Sequence, residues 1–215
     1  MEQTSQRPNA GSVINDFSLQ VATVNGSGSQ SANAILMRAI FRMGIPVSGK
    51  NIFPSNIAGL PTWYAIRVSE RGYAARKADI DIAVALNPQT ARADALAVRP
   101  GGALVAESEL GLGGLRTDIH CYEVPCARLA GEVTADFRLR KLLANMVYVG
   151  ALARLLDIDP GEMEAAIRRQ FPDKPGALDL NLRALEAGRT YAVRHLEKTD
   201  PFRLEPRART RDRIL

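Results

Sequence analysis

Val21-Ala22-Thr23-Val24-Asn25-Gly26-Ser27-Gly28-Ser29-Gln30-Ser31 decides the fold class, because an apolar strand here runs directly into a glycine-rich turn that opens a helix. Glycine adopts positive φ at little cost, and the free N–H groups at a helix start present partial positive charge to an anion. Asn25, Gly26, Ser27, Gly28, Ser29 and Gln30 are therefore candidate contacts for a phosphate or carboxylate. A dinucleotide fingerprint needs G-x-G-x-x-G and an acid about 20 positions on. Ser31 replaces the third glycine, and the later stretch reads Ser48-Gly49-Lys50-Asn51. Both departures weigh against nicotinamide or flavin. A tight turn that binds nothing stays open beside the anion reading.

Working outward, residues 1 to about 15 are polar and expected to be disordered. Phe17, Leu19 and Val21 then alternate with polar neighbours as a strand does. Ala32, Ile35, Leu36, Ala39, Ile40 and Met43 give the following helix one broad apolar face, and Gly44 ends it. Residues 45–53 supply a second strand. The loop that follows carries Asn56, Ile57, Gly59, Leu60 and Pro61, and its apolar side chains mark a surface meant to be covered. Residues 62–69 form a strand, and Arg71-Gly72 suggests a tight reversal into a short antiparallel partner. Ile80, Ile82, Val84 and Leu86 alternate strictly, with Asp79 and Asp81 read as solvent-facing rather than as an acid/base pair. Asn87-Pro88-Gln89-Thr90 starts a helix that runs to about Arg99-Pro100-Gly101-Gly102, and residues 103–106 form a further strand.

This alternation defines an α/β, Rossmann-like, mostly parallel sheet with flanking helices and a short antiparallel hairpin. The C-terminal third is helical: an apolar stripe from Leu139 to Leu156, a second helix capped by Asp159-Pro160-Gly161-Glu162, and a third from Pro175 that closes at Gly188. Ligands of such sheets meet the loops at the carboxyl ends of strands. The glycine turn and Asn87–Gln89 should share that edge, making Asn87 and Gln89 further candidate contacts, and the 56–61 loop is expected beside them.

With 215 residues, 46% of them hydrophobic, the chain suffices for one sizeable domain. It has no run of about 18 apolar residues and no secretory signal, so a cytoplasmic protein without a membrane partner is expected. The net charge of +5 is concentrated between Arg203 and Arg213, without interleaved aromatic residues, and reads as a basic tail rather than a nucleic-acid surface. Cys121 and Cys126 match neither a redox motif nor a metal ligand set and are expected as buried thiols, with His120 an ordinary strand residue.

Three stretches, at residues 24–33 with 42–47, 49–64 and 81–90, together with Asn181-Leu182-Arg183-Ala184-Leu185-Glu186-Ala187-Gly188, resemble the γ-type domain of the 2-oxoacid:ferredoxin oxidoreductases. The likeness is nearest to its form at the N-terminus of the α subunit of 2-oxoglutarate-type enzymes. Among these stretches, 49–64 (Gly49-Lys50-Asn51-Ile52-Phe53-Pro54-Ser55-Asn56-Ile57-Ala58-Gly59-Leu60-Pro61-Thr62-Trp63-Tyr64) is the specific one. The resemblance implies a domain over residues 16–190, followed at 191–215 by a basic tail or linker toward a thiamine pyrimidine-binding domain. It implies an assembly in which thiamine diphosphate, held with Mg2+, decarboxylates a 2-oxoacid, an iron–sulfur cluster passes electrons to ferredoxin, and coenzyme A takes the acyl group. None of these cofactors is expected on this chain alone. Its partners would be the remaining α-subunit domains, the β subunit and, through the assembly, ferredoxin. By position, Gly26, Ser27, Gly28, Ser29 and Gln30 match the family's glycine-rich loop, on the coenzyme A side, and Asn56, Ile57, Gly59 and Leu60 match its partner-facing loop, with Pro61 next to it. Ser29 and Ser31 depart from the Gly-Gly-Gln-Gly version of many γ subunits, as the α-fused form does. A piece of a longer α subunit is the expected origin, with a free-standing phosphate- or nucleotide-binding module the alternative.

Overall fold

Residues 16–24 form the strand on which the sheet is assembled. A computed structural model describes residues 11–54, 57–211, 213 and 215. In chain order its elements are β1 (Val13–Ile14), β2 (Asp16–Val24), α1 (Ser29–Arg42), β3 (Val47–Ile52), β4 (Pro61–Ser69), β5 (Ile80–Ala85), α2 (Ala91–Leu96), β6 (Val98–Glu107), a 3-10 turn (Ser108–Leu110), β7 (His120–Val124), α3 (Cys126–Val133), α4 (Phe137–Leu155), α5 (Pro160–Gln170), α6 (Pro175–His195) and β8 (Phe202–Arg203). The main sheet has six strands in the order β3-β4-β2-β5-β6-β7. Strand β4 is antiparallel to both β2 and β3, and the other pairs are parallel.

Helix α1 carries the chain from β2 past β4 to the edge position of β3, whereas β5 opens a run toward β6 on the opposite side. The strand order therefore reverses between β2 and β5, and a crevice is expected at their carboxyl ends. The sheet's inner face, with Phe17, Leu19 and Val21 of β2 and Ile82 and Val84 of β5, packs against α1 and the C-terminal helices. Its outer face is thinner. There Ala83, Ala85 and Ala106 meet Ala91 and Ala95 of the six-residue α2 in a separate small cluster.

Several boundaries differ from the sequence reading. Residues 11–15, expected with the disordered terminus, are built in: β1 pairs in parallel with β8, and the side chain of Asn15, fully buried, exchanges two hydrogen bonds of 2.9 Å with the backbone of Glu205. The basic tail is likewise not a free linker. Phe202 and Leu204 are buried, Phe202 stacks edge-on against Phe17, and the Arg207 amide donates to Met43 O at 2.8 Å. The turn at Gly72 forms, but no strand follows it until β5, so the antiparallel part of the sheet comes from β2, β3 and β4. Gly101 and Gly102 lie inside β6 rather than before it, because α2 ends at Leu96.

Asp81 is not solvent-facing. It is 1% exposed, accepts from the Ser18 amide at 2.7 Å and pairs with Arg99 and Lys77, tying β5 to β2 and β6. Nor does Gly188 end a helix. It sits inside α6 where that helix crosses α4, and a Cβ there would collide with the Val147 carbonyl, just as one at Gly150 would strike Leu185 O. A side chain at either position must push the helices apart.

Two outcomes follow. Gly188→Leu lowers stability by about 2–3 kcal/mol in urea unfolding, while Gly176→Leu, with open space at its Cβ, changes it by less than about 0.5 kcal/mol. Burial acts to raise the Asp81 carboxyl, but the Ser18 amide, Arg99 and Lys77 outweigh it and hold it below the ordinary aspartate value. Its stabilisation is therefore full above about pH 4, the unfolded value, and is lost as pH falls through the lower folded one. Asp81→Asn costs about 2 kcal/mol at pH 7, since its cationic partners are partly solvated, and the cost shrinks toward pH 2.

Candidate functional site

The glycine turn sits at the carboxyl end of β2 and is held from three directions. Gly28, at φ 81°, is the left-handed residue before α1, which has no side-chain N-cap. A Cβ there would stand 2.6 Å from Leu142 Cδ2 on α4, so conformation and space both require glycine. Ser29 does not face outward: its Oγ lies 2.7 Å from Thr23 Oγ1, spanning the turn from inside. From α4, Asn145, 3% exposed, donates to Ser27 O at 2.7 Å. The Ser27 Oγ is shielded from solvent and has no hydrogen-bond partner among the described residues.

The second loop joins this turn through its backbone. The Asn25 amide donates to Leu60 O at 2.8 Å, Gly59 N to Asn25 O at 3.0 Å, and Asn25 Nδ2 to Ile57 O at 3.0 Å. Ile57 and Leu60 remain 64% and 38% exposed, with Phe53 beside them at 49%. Pro61 begins β4 opposite Val24, and Asn56 lies outside the described residues. On the other side, Asn87 is buried, donates to Thr23 O at 3.2 Å and accepts from Gln89 N at 3.0 Å. Both ends of its side chain are thus committed, one to the end of β2 and the other to its own loop. Gln30 and Gln89 are exposed.

Between the glycine turn and α4 lies a cleft of about 800 Å³ at the carboxyl ends of β2, β5 and β6. Its walls include Gly26, Ser27, Leu86, Glu107, Phe137 and Lys141. Arg138 and Lys141 on the first turns of α4 make no ion pair among the described residues, and Lys141 Nζ stands 4.9 Å from the centre of the exposed Phe137 ring. Glu107 at the end of β6 accepts from the Ala127 amide at 3.0 Å, and burial pushes its carboxyl up, partly offset by that amide. Cys126, at the same wall, is a free, buried thiol pushed well up by burial, while Cys121 is free, half-buried and pushed up to about 11 by burial and by Glu123. Neither is poised as a thiolate. His120 shares a hydrogen bond of 2.8 Å with Thr199.

The sequence brought the glycine turn, 57–61 and Asn87 to one edge, and they do meet there. It did not bring in α4. Asn145 was the available signal, a polar side chain inside the apolar run from Leu142 to Val149. Among the described residues no three His, Cys, Asp or Glu side chains are grouped to hold a metal, and no helix is long and apolar enough to cross a membrane.

These features define a Rossmann-like α/β domain whose exposed apolar and cationic groups gather at the carboxyl edge of the sheet. The chain belongs to the pyruvate ferredoxin/flavodoxin oxidoreductase family, whose sequence model matches residues 18–191. It is 32% identical over 90 residues to the α subunit of 2-oxoacid:ferredoxin oxidoreductase 2 of Aeropyrum pernix, a match covering 42% of this chain and 14% of that subunit. It superposes on 2-oxoglutarate:ferredoxin oxidoreductase from Magnetococcus marinus, solved with 2-oxoglutarate, coenzyme A and succinyl-CoA bound, with a TM-score of 0.80 and 26% identity over 91% of this chain. It spans 34% of that longer chain. The γ subunit of a keto/oxoacid ferredoxin oxidoreductase from Geobacter sulfurreducens shares the fold at a TM-score of 0.68 and 18% identity, over 83% of this chain and 99% of that one.

Asn145→Ala removes the side chain that fastens the turn and leaves Ser27 O without it. Stability falls by about 1–2 kcal/mol, and amide exchange at Ser27 and Gly28 accelerates more than in the core strands, which hydrogen-exchange measurements resolve.

Proposed function

We propose that this chain is the γ-type domain, as a subunit or as part of an α subunit, of a 2-oxoacid:ferredoxin oxidoreductase, with 2-oxoglutarate the favoured substrate. The complete enzyme decarboxylates the 2-oxoacid oxidatively to its acyl-CoA, with ferredoxin as acceptor. The observation that carries this reading is the superposition over nine-tenths of the chain on the Magnetococcus enzyme, an oxidoreductase for 2-oxoglutarate. This domain supplies a docking face and a wall on the coenzyme A side. Thiamine diphosphate, Mg2+ and the iron–sulfur cluster belong to other parts of the assembly, where the decarboxylation and electron transfer take place.

The docking role rests on Phe53, Ile57 and Leu60, apolar side chains left exposed beside the glycine turn, where water contact is unfavourable until a partner covers them. The coenzyme A role rests on the cleft. Coenzyme A carries phosphates, and Arg138, Lys141 and the unpartnered Ser27 Oγ are groups suited to an anion. Within that cleft the residues of this chain bind and orient; Asn145 and Gly28 set the shape of the turn, and the apolar rim limits water. The cleft and glycine turn also favour a second reading, a free-standing nucleotide-binding module.

The purified chain alone shows no 2-oxoacid-dependent reduction of a viologen dye, and co-expression with the remaining polypeptides of the enzyme restores it. Turnover by the isolated chain overturns the proposal. Leu60→Asp prevents assembly while leaving the domain's circular dichroism and thermal unfolding unchanged. In calorimetry, micromolar binding of NAD, FAD or ATP without binding of coenzyme A favours the free-standing module instead.

A further inference from the structure

The two faces of the sheet are covered unequally, and the bare part is charged. Along β3 and β4, residues of opposite parity point to opposite sides. Gly49, Ile66 and Val68 face α1, while Ser48, Lys50 and Ile52 pair across to Arg67, Ala65 and Trp63 on the outer side. Parallel-rich sheets of this class carry helices on both faces. Here, among the described residues, α2 is the only α-helix on the outer face; it reaches β5 and β6, and Asp94 Oδ1 accepts a hydrogen bond from Trp63 Nε1 of β4 at 2.7 Å. Among the described residues no helix covers the outer side of β3 and β4, and a groove of about 740 Å³ opens there.

The lining of this groove contains Lys50, Arg67 and Arg76 and no carboxylate. Arg67 is buried and already satisfied by Asp16 and by the carbonyls of Phe17 and Val68. Lys50 and Arg76 make no ion pair among the described residues. A lysine on an edge strand is a common guard against strand addition, but that role does not call for a second cation. Arg76 comes from a different segment, placed over β3 by the hydrogen bond of 3.1 Å from Ser48 Oγ to Ala74 O. Two parts of the chain thus deliver unpaired positive charge to one concavity. Its end is apolar, where Ile52 and Phe53 continue into the exposed loop of Ile57 and Leu60.

We propose that the outer face of the β3–β4 pair seats an acidic, partly apolar segment of a partner polypeptide. The proposal rests on the reading above in that the partner is drawn from the oxidoreductase assembly. A small anion would satisfy Lys50 and Arg76 but leave Phe53 and Ile52 in water. A segment carrying carboxylates and apolar side chains satisfies both and extends the loop surface onto the sheet. It supplies the cover that α2 is too short to give.

The test compares assembly of the chain with the remaining polypeptides of the enzyme for the wild type, Lys50→Glu/Arg76→Glu, Lys50→Gln/Arg76→Gln and Leu60→Asp. The charge reversal raises the apparent dissociation constant by about tenfold or more and the neutral pair by less, with weaker salt dependence than the wild type. Thermal unfolding of the isolated chain stays unchanged for all of them. Assembly unaffected by charge reversal but abolished by Leu60→Asp overturns this inference and leaves the proposed function standing. Assembly unaffected by either overturns both. Trp63 is the chain's single tryptophan and lies on the same sheet face, so its fluorescence reports on the groove. Saturable micromolar binding of citrate or inorganic phosphate, lost on charge reversal while assembly persists, overturns the inference in favour of a small-anion site.

Discussion

Everything in this domain hangs on the two-sided pairing of β2. Along one edge it runs antiparallel to β4 over nine residue pairs, and along the other it runs parallel to β5. A strand bonded in this way has no freedom of register, because a slip of one residue would turn Phe17, Leu19 and Val21 away from the core. The position of the glycine turn at its carboxyl end is fixed by that register. So is the crevice, since the chain leaves β2 in one direction across the sheet and leaves β5 in the other. The site is therefore a consequence of strand order before it is a consequence of any particular side chain.

The glycine turn shows how a local motif acquires its shape from distant residues. Read alone, Asn25–Ser31 has the outline of a phosphate cradle, and its departures argued only against dinucleotides. In the folded chain the turn is clamped by Asn145 and closed over by Leu142 from α4, and its strand side is stapled by Ser29 and Thr23. These contacts set the conformation of the glycine-rich stretch from outside it. The same hydrogen bonds that join Asn25 to residues 57–60 hold out the apolar loop, so the cleft and the exposed apolar loop share a single support.

What could be read from the sequence was what local periodicity encodes. The alternation of Phe17, Leu19 and Val21, the 3.6-residue stripe of α1, and Asp159-Pro160 before α5 each act within a few residues, and each gave the right element. The misreadings share a cause in contacts between residues far apart in the chain. Asp81 looked exposed because its partners, Ser18 and Arg99, belong to other strands. Gly188 looked like a terminator because glycine has two uses, and only the crossing of α4 and α6 distinguishes close approach from a helix end. The arginine-rich end looked like a solvated tail because Phe202 and Leu204, alone among its charges, do the packing. At the site the sequence supplied the loops and missed the cationic turn of α4, which lies more than a hundred residues away.

The thin alanine layer beneath α2 divides the sheet into unequal halves as insulation. On the inner face long helices lay leucine, isoleucine and methionine side chains on the strands, whereas on the outer face the short α2 rests on alanines in a much smaller cluster completed by Val98, Leu104 and Leu112. Small side chains bury little apolar area, so the free energy needed to lift this layer is correspondingly small. The outer layer is therefore expected to open at lower free energy than the inner core, exposing the outer sides of β5 and β6 first.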